Sequence, residues 1–330
     1  MNNSNISSRV YALLIIIVGL VAFFTARMIV SSPKNDKKTN AKAQARPSQG
    51  SRSDDEGSSP FTIFNAPKAI PVRSKLSQRS MAEHDALFWQ EMDTLEPTDK
   101  GVMVEIEQKG EFYVALGDVM IAAGPDGFGR MYPGQRLPLA RPKLWPGGRI
   151  PHMIDSNLKV KVELKAALAE LREQTGIEFI SAYKEKDFVV FRAHKDQCFS
   201  HVGRIGGEQE IWLGPNCKKG EILHELMHTL GFFHEQSRPD RDEYMVVFWE
   251  NLDKKYWEQY KKISSDFQNL TDSEFDFNSV MLYPPEAFAL NPQLATMAKL
   301  NGDLYTVNRE ELSQLDIEKI RDIYKTEFDK

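Results

Sequence analysis

The stretch Glu221–Asp242, EILHELMHTLGFFHEQSRPDRD, constrains this chain more than any other. His224 and His228 stand four apart, so on an α-helix their imidazoles project from one face, one turn apart. That is the spacing of a two-point grip on a metal ion. Glu225 neighbours the first histidine and points beside the metal rather than at it. There it can take a proton from water at the metal and pass it to a leaving amine. Gly231 lets the chain leave the helix without a Cβ penalty, and the turn swings His234 back as a third ligand. Three histidines leave a fourth position open to water, which marks a catalytic rather than a structural zinc site. The residues His224, Glu225, His228, Gly231 and His234 coincide by chance on the order of once in a hundred thousand chains of this size. Packed or solvated histidines therefore do not account for the pattern, and one zinc ion per chain is the expected cofactor.

The rest of the chain narrows the class. With 330 residues and a net charge of -5, nothing in the electrostatics asks for a nucleic-acid partner. Tyr11–Ala26 is apolar and the run resumes at Met28–Val30, so residues 11–30 are about long enough to span a bilayer, with Arg27 snorkelling. Phe23 and Phe24 stand where a cleavage site wants small residues, which favours an uncleaved signal-anchor over residues 1–31; secretion after signal cleavage is the alternative. Lys34, Lys37, Lys38 and Lys42 follow the run, and the positive-inside rule would keep that side cytoplasmic. The two cysteines, Cys198 and Cys217, fit either one disulfide or two separate buried thiols.

Residues 32–60 are poor in large apolar side chains and read as a disordered linker. Residues 61–143 read as a small accessory region, with an amphipathic helix around Met81–Met92, alternating stretches at Val102–Ile106 and Phe112–Val114, and a glycine- and proline-rich loop over Gly124–Pro138. From Leu144 the pattern is α+β: strands at Ile150–Ile154, Ile177–Ile180, Phe188–Arg192 and Glu210–Leu213, a helix over Leu158–Thr175, the motif helix from Gly220, and a last helix over Ser313–Tyr324.

The extended string His234–Asp242, together with Ser279-Val280-Met281-Leu282-Tyr283, resembles the astacin family of metzincin zinc peptidases. Leu144-Trp145-Pro146, Cys198-Phe199-Ser200, Val202-Gly203-Arg204 and Leu312–Ile317 extend the likeness over Leu144–Tyr324. The resemblance implies a two-lobed catalytic domain over 144–330, with a mixed sheet and the motif helix above the cleft and an irregular lower lobe ending in a helix. It also implies that Met281 forms an apolar floor under the metal and that Tyr283 is a conditional ligand that swings to stabilise the oxyanion. Cys198 and Cys217 would be paired, and Glu235 would receive an N-terminus freed by maturation. Leu116-Gly117-Asp118 is similar to the family's aspartate switch, with Asp118 as a latent ligand, although a loop cap beside a glycine would look the same. Arg136 and Arg141 are candidate sites of activating cleavage. Where the family has a second, interlobe disulfide, Gly176 stands in place of the first cysteine, so the lower lobe is expected to hold by apolar contacts alone.

The family and the cysteine pair together place the catalytic domain outside the cytoplasm, on a bacterial-type, membrane-anchored endopeptidase that cleaves protein or peptide substrates by metal-activated water. A zinc-binding pseudoprotease and a zinc amidase of cell-wall peptides are the alternatives. Retention of Glu225 and Tyr283 argues against the first. The second differs only in substrate polymer, which the residues do not encode.

Overall fold

The computed structural model describes residues 93–121, 131–267 and 273–329, all within one compact unit, Asp54–Lys330. The expected anchor, linker and Met81–Met92 helix lie outside the described residues. Among the described residues, no helix is long and apolar enough to cross a membrane.

One mixed sheet of eight strands forms the upper part of the molecule. In chain order its strands are β3 (Glu107–Lys109), β4 (Phe112–Ala115), β5 (Val119–Met120), β7 (Arg149–Ile154), β8 (Glu178–Ser181), β9 (Phe188–Ala193), β10 (Cys198–Ser200) and β11 (Glu208–Leu213). In space they run β3-β4-β5-β10-β11-β9-β7-β8. β7, β8, β9 and β11 are parallel, and β10 is antiparallel to β11. The crossover from β7 to β8 is made by helix α1 (Lys161–Thr175), whose buried stripe Leu164, Ala167 and Leu171 packs on the sheet. α1 begins three residues later than its periodicity suggests, at an N-cap, Val160, that makes no side-chain capping bond.

Helix α2 (Lys219–Leu230) lies beneath the sheet, and every residue from Ile222 to Leu230 is buried. Such all-round burial suits a helix at the centre of a domain. It ends at Gly231 with φ of 105°, the left-handed cap expected from the sequence. Helix α3 (Gln314–Phe328) closes the chain, capped at Ser313 by a reciprocal pair with Asp316. The lower lobe holds one short pair, β12 (Met245–Val247) with β13 (Met297–Lys299), and is otherwise 3-10 turns and loops.

The accessory region divides between two sheets. β1 (Pro97–Thr98), β2 (Gly101–Glu105) and β6 (Arg136–Leu139) form a three-stranded sheet. The end of the expected Gly124–Pro138 loop is thus strand, and Pro138 is tolerated because β6 is an edge. β3, β4 and β5 instead extend the main sheet, with β5 parallel to β10 through Val119 and Ser200. Val102 and Val104 of β2, Ala115 of β4 and Val119 of β5 share a cluster with Val202, Phe233 and Ile263 from beyond residue 143. The two larger cores, around Trp145–Tyr324 and Met245–Tyr305, contain no accessory residue among the described residues.

The lobes are not joined by apolar contacts alone, as the missing cysteine suggested. Asp316 of α3 accepts from Ser279 Oγ (2.6 Å) and Val280 N (3.0 Å), and the Lys319 ammonium lies 2.8 Å from both Glu235 oxygens. Glu170 of α1 accepts from Leu312 N and Lys219 Nζ. Polar groups that α3 carries at one-turn spacing reach loops that a disulfide would otherwise have to hold. Gly176 is itself a left-handed cap, φ 82°, closing α1.

Candidate metal centre

α2 presents His224 and His228 on one face, and the turn after Gly231 returns His234 beside them. Their Nε2 atoms meet a fourth group from the accessory region. Asp118 Oδ2 lies 3.3 Å from His224 Nε2, and Asp118 Oδ1 lies 3.3 Å from His228 Nε2 and 3.1 Å from His234 Nε2. The four ligand atoms fall within 4.8 Å of one another, and all four residues are buried.

The protonation of this cluster tests whether a metal fits. His224 Nδ1 faces the Val280 carbonyl at 2.7 Å, and His228 Nδ1 faces the Phe232 carbonyl at 2.8 Å. Each Nδ1 must carry the proton, so each Nε2 presents a lone pair. Burial also opposes an imidazolium, pushing His224 down to about 3. Bare nitrogens facing a carboxylate at such distances repel unless a cation lies among them. Tetrahedral zinc with bonds of about 2.0–2.1 Å sets its ligand atoms about 3.3 Å apart, matching the contacts seen here. Three imidazoles and a carboxylate are therefore a fitting donor set for one zinc ion. Chelation is expected to lower the melting temperature of the full chain by on the order of 10 °C, with one equivalent of zinc restoring it. Thermal melts with and without chelator check this, and an unchanged melt would remove the metal from the site.

Glu225 is fully buried, and neither of its carboxylate oxygens has a hydrogen-bond partner among the described residues. Burial, and after it the Asp118 charge, push its carboxyl well above the usual range. A proton-accepting group without a partner beside the donor set is a position prepared for water and substrate. Ser200 Oγ fixes the adjoining backbone by donating to the Glu225 carbonyl (3.0 Å).

Tyr283 is buried with its ring against His234, centroids 4.4 Å apart. Its hydroxyl donates to the Leu116 carbonyl (3.0 Å). Leu116 and Gly117 both take positive φ, 52° and 98°, so the chain doubles back to aim Asp118 inward. A Cβ on Gly117 would fall 2.3 Å from Tyr283 Oη, so only glycine fits this approach. Lys109 Nζ holds the Gly117 carbonyl at 2.5 Å, and Asp118 O accepts from Ser200 N at 3.3 Å.

Met281 is buried in the main core, and its carbonyl accepts Glu235 N at 3.0 Å. In the uncleaved chain the Glu235 carboxylate is already engaged. It is taken by Lys319, by Arg238 Nη1 (3.2 Å) and by Asp276 N (2.8 Å). Cys198 and Cys217 are joined, linking β10 to the loop before α2.

Sequence reading missed Ser279, Asp316 and Lys319 as supports of the metal loops. The Ser313–Asp316 capping pattern was the available signal, but it names a helix start and not the loop that the aspartate also holds. Asp93 was also missed. Its carboxylate pairs with buried Arg241 at 2.5 Å, tying the accessory region to the string that follows His234. Of the proposed cleavage sites, Arg136 is locked in β6 and Arg141 precedes Pro142, and both placements disfavour trypsin-like cutting.

Comparison with known proteins agrees with this geometry. The sequence profile of Astacin (Peptidase family M12A) matches residues 139–325, more than half of the chain. Zinc metalloproteinase nas-13 of Caenorhabditis elegans is 37% identical over 183 residues, covering 54% of this chain and 40% of that protein. Tolloid-like protein 2 of Homo sapiens is 35% identical over 191 residues, 56% of this chain and 19% of that one. The chain thus spans less than half the length of either curated relative. Among solved structures, high choriolytic enzyme 1, a hatching enzyme zinc-protease from the medaka fish Oryzias latipes, superposes with a TM-score of 0.51 at 31% identity, over 56% of this chain and 94% of that one. These relatives are animal proteins, so they lend nothing to the expected bacterial type, nor do they bear on a membrane anchor. On its profile match, this chain belongs to the astacin family.

Proposed function

We propose that residues 144–330 are a zinc endopeptidase whose site is held shut by the accessory region, residues 61–143. The observation that carries this reading is the cluster of three imidazole Nε2 atoms closed off by Asp118, with Glu225 buried beside them. Relatives named zinc metalloproteinase and zinc-protease support peptide hydrolysis over the scaffold and amidase alternatives.

His224, His228 and His234 would hold the zinc, which when bound supplies a Lewis acid that activates water and polarises the peptide carbonyl. Glu225 takes a proton from the attacking water and delivers it to the leaving nitrogen. Tyr283, once released from the Leu116 carbonyl, donates its hydroxyl to the developing oxyanion. Glu235 and Met281 position this set, the first through Lys319 and the second through its bond to Glu235 N. Substrates are proteins or peptides, and the disulfide fits a catalytic domain outside the cytoplasm. An anchor over residues 11–30 of a bacterial-type enzyme remains our reading of the sequence alone. The test is chelator-sensitive cleavage of a quenched peptide by the chain, folded whole and then freed of the accessory region by limited proteolysis. Absence of cleavage by zinc-loaded protein would sink the reading.

His201 makes closure sensitive to acid. It is buried under the accessory region, with Nδ1 against the Met120 carbonyl at 3.0 Å, and burial lowers it to about 4. Once uncovered, it would return toward roughly 6.5. Closure therefore draws its full support from neutral His201 above that value and loses it as pH falls toward 4. The shift corresponds to a few hundredfold at most. Asp93 and Glu107, both raised by burial, act in the opposite sense. The rate of proteolytic release is expected to rise on acidification more steeply in the wild type than in His201→Gln. Parallel profiles would exclude His201.

A further inference from the structure

Phe112 of β4 seats its ring against three aromatic side chains, at centroid distances of 4.8 Å to Trp212, 5.1 Å to Phe199 and 5.7 Å to His194. Phe199 and Trp212 are cross-strand partners on β10 and β11, so they share one face of the sheet. Cys198 and Ser200 point to the other face, toward α2 and its ligands. Phe199 is only 1% exposed, although its face of the sheet carries no helix among the described residues, because Phe112 lies on it.

The three walls of this recess are fastened from within residues 144–330. The Trp212 indole N–H donates to Glu210 Oε2 (3.0 Å), and Glu210 is held in turn by Arg192. The Arg192 guanidinium lies 6.0 Å from the Trp212 ring. His194 Nδ1 accepts from Gln197 N (3.0 Å), which fixes that ring. The accessory region contributes the occupant and none of these fasteners. When it leaves, the recess stays formed and opens beside β10. Departure of β5 also frees the backbone of β10, including Ser200 N, which now serves Asp118 O.

We infer that the recess of His194, Phe199 and Trp212 is a subsite for an aromatic side chain of the polypeptide substrate, occupied in the closed chain by Phe112. The inference rests on the reading that the accessory region is displaced. A polypeptide laid along β10 has its backbone beside the ligands and a side chain within reach of the recess. A flat, largely apolar slot with two rings meeting the occupant at tilted angles selects an aromatic over an aliphatic side chain.

The test uses the chain folded whole and then freed of the accessory region. Short quenched peptides without aromatic residues are compared with versions carrying one Phe at successive positions. Turnover is measured on the wild type, and binding on the zinc-loaded Glu225→Gln form by fluorescence anisotropy. At one or two neighbouring positions away from the cleaved bond, Phe is expected to lower KM and Kd about fivefold relative to Ala, with kcat unmoved. Trp212→Ala brings that ratio to about one, whereas Trp212→Phe, which keeps a ring, retains most of it. Zinc content and thermal melts confirm that each variant is folded. A series in which no position shows a Trp212-dependent gain, or in which Trp212→Ala weakens every peptide alike, overturns the inference. If no peptide is cleaved at all, the endopeptidase reading falls, and the binding series still decides for or against the recess.

Discussion

Glu225→Gln in the released enzyme is expected to lower kcat by about a thousandfold or more, with zinc content unchanged and KM within about twofold. The substitution keeps the shape of the side chain, and α2 is buried on all sides, so any larger residue would confound chemistry with packing. No hydrogen bond to a described residue is lost with the carboxylate. What the amide cannot do is accept a proton. The ligand tripod is untouched, since His224 and His228 are oriented through their Nδ1 bonds to Val280 and Phe232 and not through Glu225. The measurement is kcat and KM on a quenched peptide alongside zinc content by elemental analysis. Retained turnover at full zinc occupancy would falsify the assignment of Glu225 as general base. Loss of zinc together with turnover would show instead that Glu225 supports the metal.

Much of the site was legible because it is local. Three ligands, the general base and the cap at Gly231 fall within eleven residues, where helical geometry alone fixes their relation. β10 was not read as a strand, since three residues carry no usable period. The supports of the site were hidden for a different reason. Asp316 reads as a helix cap and Lys319 as a surface lysine, and only the packing of α3 under the metal loops sets them on Val280 and Glu235. The same distance effect hid the aromatic recess, where Phe112 of β4 meets Trp212 of β11 across one sheet although the two lie far apart in the chain. Before any cleavage the Glu235 carboxylate is held by Lys319, Arg238 and a backbone N–H, distant partners that the string after His234 does not reveal.

Asp118→Ala is expected to give the uncleaved full chain a peptidase activity on the order of a hundredfold above that of the wild type, if closure holds about 99% of the protein shut. The carboxylate reaches all three imidazole Nε2 atoms. Removing it leaves the space for water beside Glu225 and takes away one of the causes that raise the Glu225 carboxyl, burial being the largest. Activation should nevertheless be incomplete. Leu116 still accepts from the Tyr283 hydroxyl, Lys109 still holds the Gly117 carbonyl, and Asp93 still pairs with Arg241, so the segment stays seated across the cleft. Asp118→Asn separates charge from bulk. An amide fills the same space but does not neutralise a divalent ion, so its activity is expected to fall between wild type and Asp118→Ala. Steady-state kinetics on the three uncleaved proteins, with mass spectrometry to show that no cut has occurred, decide the matter. If Asp118→Ala is as silent as the wild type while limited proteolysis still activates it, closure resides in the Leu116–Tyr283 contact and the covering strands rather than in the aspartate. If proteolysis activates neither, the accessory region is not an inhibitory segment at all.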